Sequence, residues 1–261
     1  MAPTTRFSKA LASASVALIA AAGLSGCGSD DTLAVCTSIP FEPFQYKDSW
    51  QDNKVVGFDV DMMNLVAEKL GKTQRIVETG FGPITSGQAL EDGDCDIAAA
   101  ALSITPEREK VMDFSQPYYH AEQARAVLPG TGVKDLGDLD GKVLGIQLET
   151  TGADYATEHQ KESGYEIKTY PDFGKLREAV EYEKIDAALG DVPLWLREST
   201  EHPDYLRIAE RYDTGEQYGY AVAKGNKDLL ETINDVIDSA KRDGTFADIY
   251  LKWIGERYEG H

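Results

Sequence analysis

The chain has 261 residues, with 26 basic against 45 acidic side chains and a formal net charge of −19. An excess of that sign excludes nucleic acid as a partner, because binding it needs a positive footprint to neutralise phosphates. The charge is spread along the chain without a long acidic block, so it marks a solvated, self-repelling surface and says nothing about the charge of a ligand.

Residues 1–26 form a leader that stands apart from the fold. Arg6 and Lys9 give it a positive start, and residues 10–22 are an apolar run too short for a membrane span of about 20 residues. Leu24, Ser25, Gly26 and Cys27 follow. That run has the pattern of a bacterial lipoprotein cleavage site, with small residues before the cut and a thiol to accept lipid. The mature chain is expected to begin at a lipidated, palmitate-bearing Cys27, with residues 27–32 as a polar tether. No other apolar stretch approaches spanning length, which predicts an extracytoplasmic protein held on the cell membrane by its lipid anchor alone. Losing Arg6 and Lys9 leaves 24 basic against 45 acidic residues, a balance of −21. The remaining chain can bury a sizeable core, as one large domain or two lobes.

Strand and helix patterns then alternate. Residues 33–37 read as a strand. Residues 58–70 read as an amphipathic helix, with Val60, Met63, Ala67 and Leu70 at helical spacing and Gly71 as its stop. Residues 75–78, 96–102, 142–146, 166–169 and 185–189 are further strand candidates, with helices starting near Thr151, Asp172, Val192 and Asn226. This order predicts an α/β fold of mostly parallel sheets covered on both faces. Residues 123–128 and 217–223 are extended runs, and after the second only helices remain. With Cys27 lipidated, Cys36 and Cys95 are left in an oxidising setting that favours pairing. A bridge between them would stabilise the fold by about 4 kcal/mol in the chain-entropy model. Against it, Cys36 falls late in its strand and Cys95 at the start of its own, an offset that in neighbouring parallel strands could exceed the roughly 7 Å reach of a disulfide.

The most informative stretch is residues 96–119. It opens with a small apolar run, residues 97–102, that reads as a buried strand. It then turns through Ser103, Ile104 and Thr105 to Pro106, a residue suited to the first helical position, and reaches Arg108. Two hydroxyls and a guanidinium thus meet at the carboxyl end of a strand, the edge where open α/β sheets bind ligands. A planar guanidinium there is a good bidentate partner for a carboxylate. The run SITPER, followed by DFSQPYY, resembles the signature of the amino-acid-binding family of periplasmic solute-binding proteins. Serine stands where the family usually has its first threonine. The resemblance runs from about residue 33 to residue 255, including the closing segment DGTFADIYLKWIG.

The resemblance implies a two-lobed periplasmic-binding-protein-like clamp of type II, with residues 33–122 and 217–261 in lobe one and 123–216 in lobe two. The two extended runs would be its crossing strands. It also implies a monomer that captures a free α-amino acid and delivers it to an ABC-type permease, with no cofactor or metal. Binding an amino acid while desolvating both its charges requires a partner for each. Arg108 is the candidate for the carboxylate. Thr150 and Thr151 follow a strand and open a helix, where backbone N–H groups favour anions. Asp191, at the family's D-x-P position, is the candidate for the ammonium, with the carbonyl of Ala101 and the hydroxyl of Ser103 completing the cage by family analogy. Phe41 and Phe81 match aromatics that pack on the ligand, and Gln147 and Glu149 offer polar contacts from lobe two. Many relatives that bind glutamine or basic amino acids carry a T-D pair before the first aromatic, whereas this chain has Thr37 and Ser38. Without that carboxylate, the pocket is expected to favour a polar, uncharged side chain. A cyclohexadienyl-dehydratase-like enzyme is the alternative on the same fold, with Glu149, Glu42 and His120 as the nominees for acid–base work.

Overall fold

A computed structural model describes Met1 and residues 31–258. The leader, Cys27 and most of the tether lie outside the described residues. In chain order, the protein forms strand β1 (Thr32–Thr37), a hairpin of β2 (Tyr46–Asp48) and β3 (Lys54–Val56), helix α1 (Phe58–Lys69) and strand β4 (Thr73–Glu78). Short helices α2 (Phe81–Thr85) and α3 (Gln88–Glu91) lead to strands β5 (Ile97–Ala98) and β6 (Met112–Phe114). There follow β7 (Tyr119–Val127), β8 (Val143–Gln147), α4 (Thr151–Ser163), β9 (Glu166–Tyr170), α5 (Phe173–Glu181), β10 (Ala187–Asp191), α6 (Val192–Glu201) and β11 (Arg207–Tyr218). The chain closes with β12 (Ala221–Ala223), α7 (Lys227–Asp243) and α8 (Thr245–Ile254). None of the described helices is long and apolar enough to cross a membrane.

Two five-stranded sheets result, one per lobe, in the orders β4-β1-β5-β12-β6 and β11-β7-β10-β8-β9. The expected two-lobed α/β clamp is the architecture observed, but its sheets are mixed rather than mostly parallel. Each sheet is parallel across three strands, β4-β1-β5 and β9-β8-β10. The strands near the crossing, β7, β11 and β12, join antiparallel. A strand that passes between lobes arrives without a crossover helix, and antiparallel pairing needs none. The order places the carboxyl ends of β5, β8 and β10 at the cleft between the lobes.

The sequence pattern does not reveal the β2–β3 hairpin, α2, α3 or β6, and two further strands depart from it. Strand β5 is only two residues long, because residues 99–102 leave the ladder and Ala101 adopts a φ of 47°. Strand β11 runs for 12 residues through a segment that reads as a charged loop. It sits at the edge of its sheet, where charged side chains are tolerated and discourage further pairing. Cys36 and Cys95 are joined, with Cα atoms 5.6 Å apart. Cys95 immediately precedes Asp96, whose N–H donates to the carbonyl of Ala34, so the chain already lies against β1 at the cysteine.

The first lobe's core is aromatic. Phe44, Phe58, Tyr118, Tyr218, Tyr220 and Phe246 are all nearly fully buried. Tyr118 and Tyr220 stack with ring centroids 4.3 Å apart. Gly57 makes this packing possible at the start of α1. Its φ is 138°, and a Cβ there would lie 2.2 Å from the backbone oxygen of Phe44. That oxygen accepts the N–H of Asp59. Only glycine combines that conformation with that approach. Gly57→Ala is expected to destabilise the protein by about 3 kcal/mol, from backbone strain and overpacking together. A thermal melt should show a fall of roughly 6–12 °C for a chain of this size; an unchanged midpoint would refute the constraint.

Candidate functional site

The cleft between the lobes is lined by Phe41, Phe81, Ala101, Ser103 and Arg108 from the first lobe. The second lobe contributes Gln147, Thr150, Thr151 and Asp191, with Phe173, Leu176, Leu189, Gly190 and Leu194. Nine of the eleven residues singled out in the sequence therefore meet in one place. Ser38 and Glu149 are absent from the lining, and the carbonyl of Ser38 accepts a hydrogen bond from Gln45 at 3.3 Å.

Arg108 opens a single 3-10 turn, Arg108–Lys110, rather than a longer helix, and its own N–H donates to Oγ1 of Thr105. Its side chain is 8 % exposed. The guanidinium donates to two carbonyls, Ser103 at 2.8 Å and Glu149 at 3.0 Å. It lies 5.6 Å from the Phe81 ring centre. None of the ion pairs among the described residues includes it. Burial pulls its pKa down, partly offset by the field of Asp191.

Asp191 ends β10 and is also 8 % exposed. It accepts from Nε2 of Gln123 at 2.6 Å and from the hydroxyl of Tyr218. Burial and then the neighbouring Glu216 push its pKa up to about 6, against the opposing pull of those hydrogen bonds and of Arg108. Thr150 caps α4: its hydroxyl accepts from Ala153 N–H and donates to the carbonyl of Gln147. That hydroxyl is therefore occupied, and what Thr150 and Thr151 offer the cleft is the unpaired first-turn N–H groups of a 13-residue helix.

Ala101 and Glu149 are non-glycine residues at φ 47° and 65°. Such conformations persist only where surrounding contacts impose them. The N–H of Ala101 donates to the buried Asp59 at 2.8 Å, and Tyr220 donates to the other oxygen at 3.2 Å. Burial pushes the Asp59 pKa up to about 7. The Glu149 carbonyl is the one that receives Arg108. None of the nominees for acid–base chemistry is among the residues that line the cleft. Glu42 pairs with Arg197 at 2.6 Å, His120 is 3.3 Å from Asp213, and Glu149 is exposed.

Sequence reasoning missed Asp59, Gln123, Glu216 and Tyr218, and the apolar wall of Phe173, Leu176, Leu189 and Leu194. Asp59 reads as an ordinary first-turn acid of α1, and Glu216 as one more charge in a charged segment. Nothing in their immediate neighbours marks Asp59 as buried or Glu216 as a partner of cleft residues.

The family model for bacterial extracellular solute-binding proteins, family 3, matches residues 33–256, and the chain belongs to that family. It is 32 % identical over 224 residues to a probable histidine-binding protein of Campylobacter jejuni, covering 85 % of this chain and 84 % of that protein. The L-cystine-binding protein TcyJ of Escherichia coli is 29 % identical over 226 residues, with 86 % and 83 % covered. Among solved structures, an ancestral arginine-binding protein bound to arginine superposes with a TM-score of 0.81 at 37 % identity, covering 86 % of this chain and 99 % of that one. An ancestral amino-acid-binding protein, described as a precursor of cyclohexadienyl dehydratase, superposes with a TM-score of 0.78 at 30 % identity, covering 85 % and 95 %.

The raised carboxyls carry a stability consequence. An acid whose pKa is higher folded than unfolded binds more protons in the native state, so its contribution is full below about pH 4 and is lost as pH rises. For Asp191 the loss should be complete above about pH 6, and for Asp59 above about pH 7. Asp191→Asn should remove the first part. The difference in unfolding free energy between variant and wild type should grow in the variant's favour from pH 4 to pH 6, by about 3 kcal/mol for a two-unit shift, then level off. Urea melts of the ligand-free proteins check this, and a difference independent of pH would refute it.

Proposed function

We propose that the protein captures one free α-amino acid between its lobes, outside the cytoplasm, and hands it to an ABC-type permease. The observation that carries this reading is Arg108, buried and without a carboxylate partner, lining the same cleft as the buried carboxyl of Asp191. An α-amino acid brings one group of each sign, joined by a single carbon. Its carboxylate would lie against Arg108 and the N–H groups at the start of α4. Its ammonium would lie against Asp191, the hydroxyl of Ser103 and the carbonyl of Ala101. Relatives named for histidine, cystine, arginine and glutamine bind ligands that share this pair of groups. The leader pattern adds a lipid on Cys27 as the tether to the membrane, and the protein acts as a monomer.

The side-chain end of the cleft is formed by Phe41, Phe173, Leu176 and Leu194, with the amide of Gln147. No lining residue other than Asp191 is acidic. We read this as selection for an uncharged side chain, an argument that no longer rests on Ser38. The decisive experiment is a thermal-shift screen of the leader-free protein against the common amino acids. A ligand at a thousandfold excess over its dissociation constant stabilises the native state by about 4 kcal/mol. No shift from any of them would overturn the reading. Arg108→Ala should abolish the shift found for the wild type while leaving the far-ultraviolet spectrum intact, since losing one partner of a desolvated charge pair costs about 2–5 kcal/mol. Titration calorimetry with unchanged affinity would remove Arg108 from the site.

A further inference from the structure

Glu216 lies near the end of β11, just after a register shift in its pairing with β7 between Tyr212 and Glu216. Such irregularities re-aim a side chain. Here the carboxylate is turned beneath the cleft, where it meets both lobes. One oxygen, Oε2, accepts from the hydroxyl of Ser103 in the first lobe at 2.9 Å and from the hydroxyl of Thr151 in the second at 2.6 Å. The other, Oε1, accepts from Thr214 at 2.7 Å and from Nε2 of Gln123 at 3.2 Å. Gln123 also holds Asp191. Glu216 does not itself line the cleft, but three residues that do, Ser103, Thr151 and Asp191, are tied to it directly or through one amide.

An ionised carboxylate only accepts hydrogen bonds, and a hydroxyl has one proton to give. Ser103 and Thr151 must therefore both point their protons at Glu216; the Thr151 hydroxyl also accepts from Nε2 of Gln123 at 3.4 Å, so each hydroxyl has lone pairs and no proton left for the cleft. Hydroxyls held this way can receive N–H groups and cannot donate to a carboxylate.

We propose that Glu216 is a positioning residue that fixes the hydroxyls of Ser103 and Thr151 as acceptors, and so makes the cleft demand an ammonium, while the same bridge clips the two lobes together. This rests on the reading of the cleft as an amino-acid site. It assigns the ligand carboxylate to Arg108 and the α4 N–H groups alone, because the Thr151 hydroxyl has no proton to spare for it. In Glu216→Gln the donors Gln123 and Thr214 hold the amide oxygen at the Oε1 position, so the amide NH2 takes the place of Oε2 and donates to both hydroxyls. Both hydroxyl protons are then free to donate into the cleft, and the polarity of the site is lost at nearly constant shape.

The test compares wild type, Glu216→Gln, Glu216→Ala and Glu216→Asp by titration calorimetry. The probes are the twenty common L-amino acids and, for the tightest binder, the 2-hydroxy acid with the same side chain. Both uncharged variants should bind that amino acid about tenfold or more weakly, a difference of about 1.4 kcal/mol. They should also shrink the ratio of amino-acid to hydroxy-acid affinity, whereas Glu216→Asp should restore part of it. A purely structural role would weaken both compounds equally, and an unchanged ratio in Glu216→Gln overturns the proposal. A second measurement needs no ligand: small-angle scattering should show Glu216→Ala more expanded than wild type, and equal radii overturn the bridge. If no amino acid binds the wild type, the functional reading fails, and the scattering comparison still decides whether Glu216 joins the lobes.

Discussion

Two opposite charges are held out of water in this cleft, and neither is neutralised by a direct ion pair with the other. The shifts of both groups point the same way: burial disfavours the charged guanidinium of Arg108 and the charged carboxyl of Asp191. Each is soothed by hydrogen bonds, Arg108 from two carbonyls and Asp191 from an amide and a phenol. Hydrogen bonds to neutral groups recover part of the several kcal/mol that desolvating an ion costs. A ligand with complementary charges recovers more. Because one charge sits on each lobe, neither lobe alone offers the full complement, and closure is worth most when the ligand is between them.

The scaffold behind the cleft shows how the charges are kept in register. Tyr218, at the end of β11, binds Asp191 of the second lobe through its hydroxyl and pairs with Ser103 of the first through its backbone. Gln123 on β7 reaches Asp191 and Glu216 at once. The crossing strands therefore do more than connect the lobes, since they carry groups that bind site residues from both. Asp59 plays a matching part under the first lobe, holding the amide of Ala101 in a conformation few residues adopt. A site is only as sharp as the shell that orients it.

What could be read from the sequence follows from this division. Parallel strands buried on both faces leave apolar runs such as residues 143–147 and 187–191, and the helices between them announce themselves by periodicity and by caps such as Asp172 and Thr150. The cleft residues at strand ends were legible because hydroxyls, an arginine and an aspartate stand there in short order with their strands. Strand β11 was not, since an exposed edge strand rich in charge has no apolar signature. Glu216 and Asp59 were not, because their burial and direction are set by segments far away in sequence, Ser103 and Thr151 for one and Ala101 and Tyr220 for the other. Ser38 misled for the same reason. Its neighbourhood in sequence is that of the cleft aromatic Phe41, but the intervening turn takes it out of the lining.

The apolar wall of the cleft is where the proposed selectivity would be set. In the proposed binding mode the ammonium and carboxylate are met by backbone groups and a few polar side chains at strand ends, and the side chain by Phe173, Leu176 and Leu194 of α5 and α6. A cationic side chain entering here would meet aromatic faces but no spare carboxylate. A cation over an aromatic ring gains about 0.5–2 kcal/mol, which falls short of the several kcal/mol needed to desolvate it. Phe81, moreover, is already engaged by Arg108. An uncharged side chain meets no such deficit, gaining from apolar burial against Phe41 and Phe173 and, where it carries an amide, from a hydrogen bond to Gln147. On the proposed reading of the cleft, these magnitudes favour a neutral ligand in a family whose relatives include several named for arginine.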